Sequence, residues 1–400
     1  MVKLLKIHYV ANLCKLVLSL LFLYTVMLDS YGASSQWSGN LKNYLTAGEH
    51  ELLTAPAAST KLSLIFAMRL NNFYQLNRSH SFETSYNLSF QGARRKKSKI
   101  ALSPITYRVF DIKNYPSFNL GADGHLAQNL DRLSWNYAGE KVDLYVGRQA
   151  INFGSGRSVN PTNVFLPFPI GNIDNEYRSG VDAIRIKIPL AEMAEFDGGV
   201  VLGEHIEKEK NAFFINLGHP IGDWDILYSA INYRKNYLLG LDMQGNFFSQ
   251  GIWFEAAYNK MKAYKNKKQK YLRAVLGMDY RFSENLLAIL EYQYNEAGSR
   301  NEHTYVATVD SLAYREGGVH YLGKNYLVPG ISYQITPLVI YTSSLILNVH
   351  DKSAYLGQKI EWNIKENNYL DLNLFLTNGI LQSEFSSYAQ RFNLSFRKYF

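Results

Sequence analysis

Residues 391–400 read RFNLSFRKYF and decide the fold class of the chain. Phe392, Leu394 and Phe396 alternate with polar or charged residues, and the chain ends on the aromatic residue Phe400. An apolar residue at every second position places the apolar side chains on one face of a β-strand and the polar ones on the other. The segment therefore predicts a strand with one apolar and one polar face at the end of the chain.

The same alternation recurs upstream in the segments 61–70, 82–90, 252–258, 272–282 and 370–376. Alternation alone fits a soluble sheet with its apolar face in a core. It also fits a barrel in lipid, where the apolar face points outward. The final segment resembles the last strand of bacterial outer-membrane barrels, which favours the barrel.

The composition points the same way. Aromatic residues make up 14% of the 400 residues and charged residues only 19%, whereas soluble proteins carry about 25% charged residues. After the first thirty positions no apolar run approaches the roughly 20 residues that a membrane-spanning helix needs. This combination is typical of a transmembrane β-barrel, whose signal in each strand is weak.

The N-terminal segment 1–33 has the pattern of a secretory signal peptide. Basic residues precede a largely apolar run at 16–28, and the small residues of SYGASS follow it. An uncleaved anchor helix is the alternative, but the run is short for a membrane span. Cys14 is the only cysteine, so removal of this segment would leave no disulfide, thiolate metal site or thiol nucleophile.

Short and long connections nearly alternate along the chain. This pattern predicts an all-β fold, a closed antiparallel transmembrane β-barrel of about 18 strands with both termini in the periplasm. Sixteen strands is the alternative, because the segments around 195–219 are weak. The barrel is assigned to 59–400, and 34–58 to an N-terminal periplasmic or lumen-tucked segment. One exception is the basic stretch 93–99, which falls on the side of the short turns.

The most distinctive local motif is YVGRQAINFGSGRSVNPTNVFLPFPIG at 145–171. It resembles a largely uncharacterised family of porin-like outer-membrane barrel proteins from Gram-negative bacteria. The family usually has Trp at the position of Phe153 and an acid at the position of Asn163. The resemblance implies a barrel with a pore or substrate channel, and no particular substrate. The matching residues are Gly147, Arg148, Gln149, Gly154, Gly156, Asn160, Pro161 and Pro167.

Arg148, Gln149 and Arg157 are the candidates for a pore constriction. If the loop folds inward, its guanidinium groups would lie where rings of charge select ions. Alternatively, Arg148 pairs with a wall carboxylate and only pins the loop. Strict alternation sends Arg148 outward, so a bulge at Gly147 or the end of the strand must turn it towards the pore.

Alternation also predicts which charged residues line the lumen. Both signs occur on the predicted inner faces, which indicates cross-strand pairs in a water-filled channel. A slight basic excess favours weak anion preference. The candidates are Arg132, Arg185, Lys187, Arg273, Asp279, Arg281, Glu291, Lys359, Glu361, Asp371, Arg391 and Arg397, with Glu83, Asp143, Asp242 and Glu255 as further acids on the same faces.

Lysines are most concentrated at 260–270, at the end of the barrel that is expected to lie outside the cell. They could neutralise the phosphates of lipopolysaccharide, or the segment is simply a solvated loop. The net charge of +8 is too diffuse along the chain to indicate nucleic acid.

Catalytic and cofactor motifs are missing from the sequence. The histidines are scattered without metal-ligand spacing, and GSG at 154–156 precedes no helix that would make it a phosphate-binding turn. The sequence thus predicts no enzyme and no cofactor. It favours an outer-membrane porin for passive or weakly selective diffusion of small hydrophilic solutes. The alternative is an adhesin or structural barrel that acts through the loops 151–179 and 296–324, and homo-oligomerisation is left open.

Overall fold

Eighteen antiparallel strands form one closed sheet in the computed structural model. The structure describes residues 34–49, 60–93, 107–110, 124–165, 176–263 and 269–400. Each strand pairs with the next in the chain, and the first pairs with the last. The prediction of an all-β closed antiparallel barrel with 18 strands is confirmed, whereas the predicted signal peptide at 1–33 lies outside the described residues.

The strands are β1 (Ser34–Glu49), β2 (Thr60–Gln75), β3 (His80–Ala93), β4 (Gly124–Ala138), β5 (Asp143–Gln149), β6 (Val181–Ala191), β7 (Ala194–Leu202), β8 (Ala212–Ile221), β9 (Trp224–Tyr233), β10 (Asn236–Phe247), β11 (Gln250–Lys260), β12 (Lys270–Ser283), β13 (Leu286–Asn295), β14 (Asn325–Thr336), β15 (Val339–Asn348), β16 (Ala354–Lys365), β17 (Asn368–Asn378) and β18 (Arg391–Tyr399). Two short helices, α1 (Tyr305–Val309) and α2 (Leu312–Glu316), lie between β13 and β14. Single 3-10 turns occupy Glu204–Ile206, Glu302–Thr304 and Phe385–Ser387. Among the described residues, no helix is long and apolar enough to cross a membrane.

The two ends of the barrel differ in their connections. The terminal end, which carries Ser34 and Phe400, has tight turns, whereas the opposite loop end has most of the long connections. β3 ends with Ala93 at the loop end. The prediction that placed the basic stretch 93–99 on the side of the short turns is therefore wrong, and residues 94–99 themselves lie outside the described part of the chain.

The outer face of the barrel is apolar and the inner face is polar. Phe392, Phe396 and Leu372 are each more than a third exposed, while the neighbouring Asp371 and Asn393 are 2% and 1% exposed. This is the reverse of a soluble sheet, in which the apolar side chains are the buried ones. The predicted outward band of Leu370, Leu372, Leu374, Phe392, Leu394 and Phe396 lies on this outer face.

The first strand corrects the predicted domain boundary. Ser34–Glu49 pairs with β2 along its length and with β18 from Asn40 to Gly48, so it belongs to the barrel wall. The assignment of 34–58 to a segment outside the barrel is wrong for these residues. Its alternation is weak, because the inner face carries the aromatic Tyr44 and the outer face carries the polar Asn43. Pairing of β1 with both β2 and β18 closes the sheet.

The weak segments around 195–219 are the strands β7 and β8. Their period is blurred where apolar residues occupy both faces: Phe213 is 53% exposed on the outer face, and Phe214 is 1% exposed on the inner face. Phe214 packs inside the barrel against Phe153 of the β5–β6 loop, with ring centres 5.2 Å apart. Loop residues and wall residues together form an apolar core inside the loop-end half of the barrel.

Cross-strand cysteines test the position of β1. Leu45 and Leu394 are direct partners in the register of β1 and β18, which places Cβ atoms about 4.5–5.5 Å apart, within reach of a disulfide. We expect the variant Leu45→Cys/Leu394→Cys, made without Cys14, to form a disulfide on oxidation, measured by mass spectrometry. The matched control Leu45→Cys/Phe396→Cys joins diagonal positions about 7–8 Å apart and is expected to cross-link poorly. Equal cross-linking in both variants would contradict the register.

Candidate functional site

The loop between β5 and β6 folds into the barrel. We call its described residues 151–165 and 176–180 the strap, with a first limb (151–165) and a second limb (176–180). The first limb contacts inner-face carboxylates on four adjacent strands, β10 to β13. The second limb contacts basic residues on β1, β2 and β18.

Glu255 of β11 holds the middle of the first limb. Its carboxylate is fully buried and accepts hydrogen bonds from the backbone N–H of Gly156 at 3.0 Å and of Thr162 at 2.7 Å. The Thr162 hydroxyl donates a third bond at 2.7 Å. Gly154 approaches this carboxylate with a φ of +92°, and a Cβ atom there would lie 2.4 Å from its oxygens. The glycine-rich turn therefore fits around one buried acid.

Glu291 of β13 holds the next turn of the limb. It is 1% exposed and accepts from the backbone N–H of Arg157 at 2.7 Å and of Ser158 at 3.0 Å. The indole N–H of Trp253 donates to the same carboxylate at 2.8 Å. Trp253 reaches it across Gly277 of β12, where a Cβ atom would lie only 2.1 Å from the ring. The missing side chain at Gly277 opens this path.

Asp242 and Asp279 complete the row of carboxylates. Asp242 accepts from the backbone N–H of Ser155 at 2.5 Å and from its hydroxyl at 2.7 Å. Asp279 forms an ion pair with Arg157, whose guanidinium lies 4.2 Å from the centre of the Trp253 ring. The Arg157 side chain remains 44% exposed. Arg157 is thus a partly exposed cation on the inner side of the barrel, and its role at a constriction stays a prediction.

The second limb binds the opposite part of the wall. Glu176 pairs with Lys42 of β1 at 2.7 Å and accepts from the Tyr399 hydroxyl at 2.7 Å. The Tyr177 ring lies 4.2 Å from the guanidinium carbon of Arg69. Burial would raise the pKa of Glu176, but the hydrogen bonds from Lys42 and Tyr399 outweigh burial and lower it. The ionised carboxylate of Glu176 therefore anchors the second limb to basic residues of the wall.

The strap consequently crosses the inside of the barrel. Its first limb is anchored to β10–β13 and its second limb to β18, β1 and β2, and four strands, β14–β17, separate these anchors on one side. Some inner positions of this arc carry small polar side chains, such as the exposed Thr342 and Ser344, whereas Tyr326, Val328 and Tyr355 are buried in an apolar cluster nearer the loop end. Lys359 on the same arc keeps 39% of its side chain exposed. These residues lie on the inner wall between the two sets of anchors.

Four predicted lumen residues form one ionic cluster on β16, β17 and β18. Arg397 binds both oxygens of Asp371 at 2.6 and 2.7 Å and reaches Glu361 at 2.7 Å. Lys359 donates to the same Glu361 at 2.7 Å. The predicted cross-strand pairing of mixed charges is thus present at this place.

The other predicted lumen residues are dispersed over the inner wall. Arg185 binds Asp197 through two bonds of 2.7 Å. Lys187 pairs with Glu195 at 2.7 Å. Arg281 is exposed near the terminal end, where it donates to the carbonyl of Glu284 at 3.0 Å.

Two of the remaining arginines, Arg273 and Arg132, contact loops, and Arg391 contacts a neighbouring strand. Arg273 is 6% exposed and donates to the carbonyl of Gly317 at 3.2 Å, beneath the loop that carries α2. Arg132 is 8% exposed and donates to the carbonyl of Arg178 at 2.7 Å. Arg391 lies over the Phe375 ring at 6.0 Å. For Arg273 and Arg132 the expected exposure to the lumen is corrected, because loops cover them.

The structure also corrects the position of two constriction candidates. Arg148 is 2% exposed and binds Asp182 at 2.7 and 3.0 Å, and it donates to the carbonyls of Leu130 at 2.9 Å and Phe110 at 2.7 Å. Gln149 is 6% exposed, and its amide donates to the carbonyls of Tyr145 and Ala183, each at 3.3 Å. The prediction that Arg148 faces the pore is wrong, whereas Gln149 lies on the inner face of β5 opposite Val181 and is buried there. Arg148 takes the alternative role of a pin in the wall.

The physical reason is the short strand β5, which has only 7 residues. Its pairing with β4 begins at Leu133, so the part of β4 nearer the loop end has no β5 partner. Segment 107–110 continues the wall beside β6, where Asp182 N–H donates to the carbonyl of Tyr107 at 3.0 Å. The β5 register has no bulge at Gly147; the irregularity falls in β4, at Asp131. Arg148 fills the end of the shortened strand and binds carbonyls that it leaves unpaired.

A second buried acid joins the loops at the loop end. Glu384 is 1% exposed and accepts from Leu322 N–H at 2.8 Å and from the Asn348 amide at 2.8 Å, while its own N–H donates to Asp351 at 2.8 Å. Burial raises the pKa of Glu384 to about 7, with the charge of Asp351 acting in the same direction against the hydrogen bonds. Sequence reasoning missed this residue, because its partners come from two other loops and the end of β15, each more than thirty positions away.

Sequence reasoning also missed Glu176, Tyr177 and Lys42. The predicted domain boundary placed Lys42 in a segment outside the barrel. The basic residues on this part of the wall were therefore not recognised as partners of the loop. The only local signal for the second limb is the charged NEYR at 175–178 that follows the proline-rich part of the loop. In the part of the chain that the structure describes, no group of three or more His, Cys, Asp or Glu could hold a metal ion.

Comparisons with known proteins agree with this architecture. No family model matches the chain, and a search of curated proteins finds no match. A BenF-like porin from Pseudomonas fluorescens Pf-5 has a TM-score of 0.60 at 10% identity, covering 92% of this chain and 98% of that one. Acinetobacter baumannii OccAB1 has a TM-score of 0.58 at 8% identity, covering 92% and 96%. The outer membrane protein OprD from Pseudomonas aeruginosa has 0.55 at 10% identity, covering 92% and 93%. At such identities the likeness shows a shared fold.

Removal of the Arg148 guanidinium tests whether this side chain stabilises the wall. We expect Arg148→Met to lower the free energy of unfolding by about 3–5 kcal/mol, because Asp182 and two carbonyls lose their buried partner. The measurement is denaturant-induced unfolding of the purified barrel. The control Arg185→Met breaks a more exposed ion pair and is expected to cost less. A folded Arg148→Met protein with unchanged stability but altered ion selectivity would restore the constriction role.

Titration of Glu384 predicts a pH-dependent loop end. Its folded pKa of about 7 exceeds the ordinary value of 4.5, so the folded form binds the proton more tightly. Its stabilising contribution is complete below about 4.5 and is lost as the pH rises through about 7. We expect hydrogen exchange near Leu322 and Glu384, corrected for intrinsic rates, to quicken over this range. Glu384→Gln should abolish the change; persistence in that variant would assign it to another group.

Proposed function

We propose that the protein is an outer-membrane porin, a channel for passive or weakly selective diffusion of small hydrophilic solutes. The observation that carries the proposal is the strap, anchored to two separate parts of a polar inner wall. A strap across an otherwise hollow barrel narrows a channel without filling it. The shared fold with solved proteins that include a porin supports the same assignment.

The outer face supports a location in the outer membrane. Its exposed apolar residues follow the register across adjacent strands, as with Leu45, Leu394 and Leu372. A continuous apolar band of this kind is stable in hydrocarbon and unfavourable in water. In the proposed orientation the terminal end faces the periplasm, the loop end faces outward, and residues 1–33 are removed on export.

Exposure of the charged groups supports a mild preference for anions. The acids Glu255 and Glu291 are 0% and 1% exposed, and backbone N–H groups donate hydrogen bonds to them. By contrast, Arg157 and Lys359 keep 44% and 39% of their side chains exposed. Solutes in the open space therefore meet cations more directly than the anions that lie beneath the strap. The neighbouring Asp279 and Glu361 keep the preference weak.

Conductance in planar lipid bilayers tests the channel. We expect the purified protein to give discrete ion-conducting steps, and deletion of 155–175 to raise the conductance severalfold by removing most of the first limb of the strap. The control is deletion of 205–209 in the loop after β7. These residues form no hydrogen bond or ion pair with the described limbs of the strap, so the deletion should leave the conductance unchanged.

A salt gradient in the same bilayers tests the sign of selectivity. We expect a reversal potential of weak anion preference that moves towards zero in Arg157→Gln, with Lys208→Gln as a charge-matched control outside the lumen. A folded protein without conductance, both with and without residues 155–175, would exclude the channel and favour the adhesin or structural alternative.

A further inference from the structure

Two lysines stand directly opposite each other on the outer face at the loop end. Lys260 of β11 and Lys270 of β12 are partners in the register, and both are exposed. Directly opposed residues of antiparallel strands share one face, with Cβ atoms about 4.5–5.5 Å apart. Like charges in this arrangement repel and destabilise the pair.

The nearby acids Glu296 and Glu316 bind other groups and do not offset the repulsion between the two lysines. Among the described residues, neither Lys260 nor Lys270 forms an ion pair with a carboxylate. The neighbouring Glu296 uses its carboxylate to accept from the backbone N–H of Leu272 at 2.8 Å. Lys262, close in sequence, pairs with Glu316 at 3.0 Å and belongs to the loop. The two opposed lysines therefore lack the internal partner that Lys262 has.

The position of Lys260 and Lys270 along the barrel axis indicates which part of the membrane they contact. The next outward pair towards the barrel centre is Tyr258 and Leu272, which are 42% and 38% exposed. Tyr237, beside Lys260 on β10, is 54% exposed. Tyrosines at the edge of an apolar band mark the interface between lipid and water. The lysines thus lie just outside the apolar band, at the level of lipid headgroups.

We propose that Lys260 and Lys270 together bind a phosphate group of lipid A in the outer leaflet. The inference rests on the outer-membrane orientation proposed above. A phosphate between the two ammonium groups replaces their repulsion with two attractions, and each lysine offers three donors to it. The adjacent tyrosines and Leu272 give the acyl chains of the same lipid an apolar surface to contact.

Lipid retention tests the proposal. The mature protein in zwitterionic detergent is titrated with diphosphoryl lipid A and monitored by native mass spectrometry. We expect Lys260→Gln/Lys270→Gln to bind about tenfold more weakly, since each lysine near an anionic surface contributes to the attraction. Lys260→Arg/Lys270→Arg should retain binding. The matched control Lys208→Gln/Lys352→Gln removes the same charge from exposed loop positions and should bind like the unchanged protein.

Thermal unfolding adds a readout that general loss of charge would not produce. In lipid-free detergent, the Lys260→Gln/Lys270→Gln variant should melt at a higher temperature than the unchanged protein, because the repulsion is gone. Added lipid A should reverse this order. Equal lipid A binding by the variant, an equal loss in the control, or displacement of lipid A by equimolar inorganic phosphate would overturn the proposal. Absence of conductance would contradict the porin function and leave this lipid test intact.

Discussion

The interior of this barrel depends on buried carboxylates that accept backbone N–H groups. Glu255 and Glu291 would be costly in the wall if they were ionised and unpaired. The first limb of the strap supplies the donors, from Gly156 and Thr162 to Glu255 and from Arg157 and Ser158 to Glu291. The dependence is mutual, because the same N–H groups would be orphaned in a dry contact without the acids. A loop held through its backbone by strand residues takes one position.

The same interaction explains the motif that stands out in the sequence. Gly154 is needed because the chain approaches the Glu255 carboxylate too closely for a Cβ atom. Glycine-rich composition in a loop is visible locally, so the inward fold of 151–165 could be predicted. The sequence placed Glu255 on an inner face but did not identify it as the acceptor for this loop. The two segments lie more than ninety positions apart, and no local pattern connects them. Pairing between distant segments is the information that alternation lacks.

The alternation of apolar and polar residues predicted the wall best where the inner face contacts solvent and the outer face carries exposed apolar side chains. The cluster of Lys359, Glu361, Asp371 and Arg397 was predicted on one face and is brought together there. Alternation weakened at β7 and β8, where loop side chains cover the inner wall and both faces become apolar. It weakened at β1 for the converse reason, since a polar residue faces outward and a tyrosine faces inward. In both cases the missing information was what covers the face, which a single strand does not encode.

Arg148 shows how a correct period can still give a wrong role. It is paired with Leu133, which is 50% exposed on the outer face, so the alternation that sends position 148 away from the pore is right. The error was to infer that an arginine must then turn inward to avoid lipid. Because β5 stops after Gln149, the guanidinium finds Asp182 and two free carbonyls within the wall itself. A buried arginine is tolerable where a strand ends, since the unpaired backbone there needs the donors that its side chain carries.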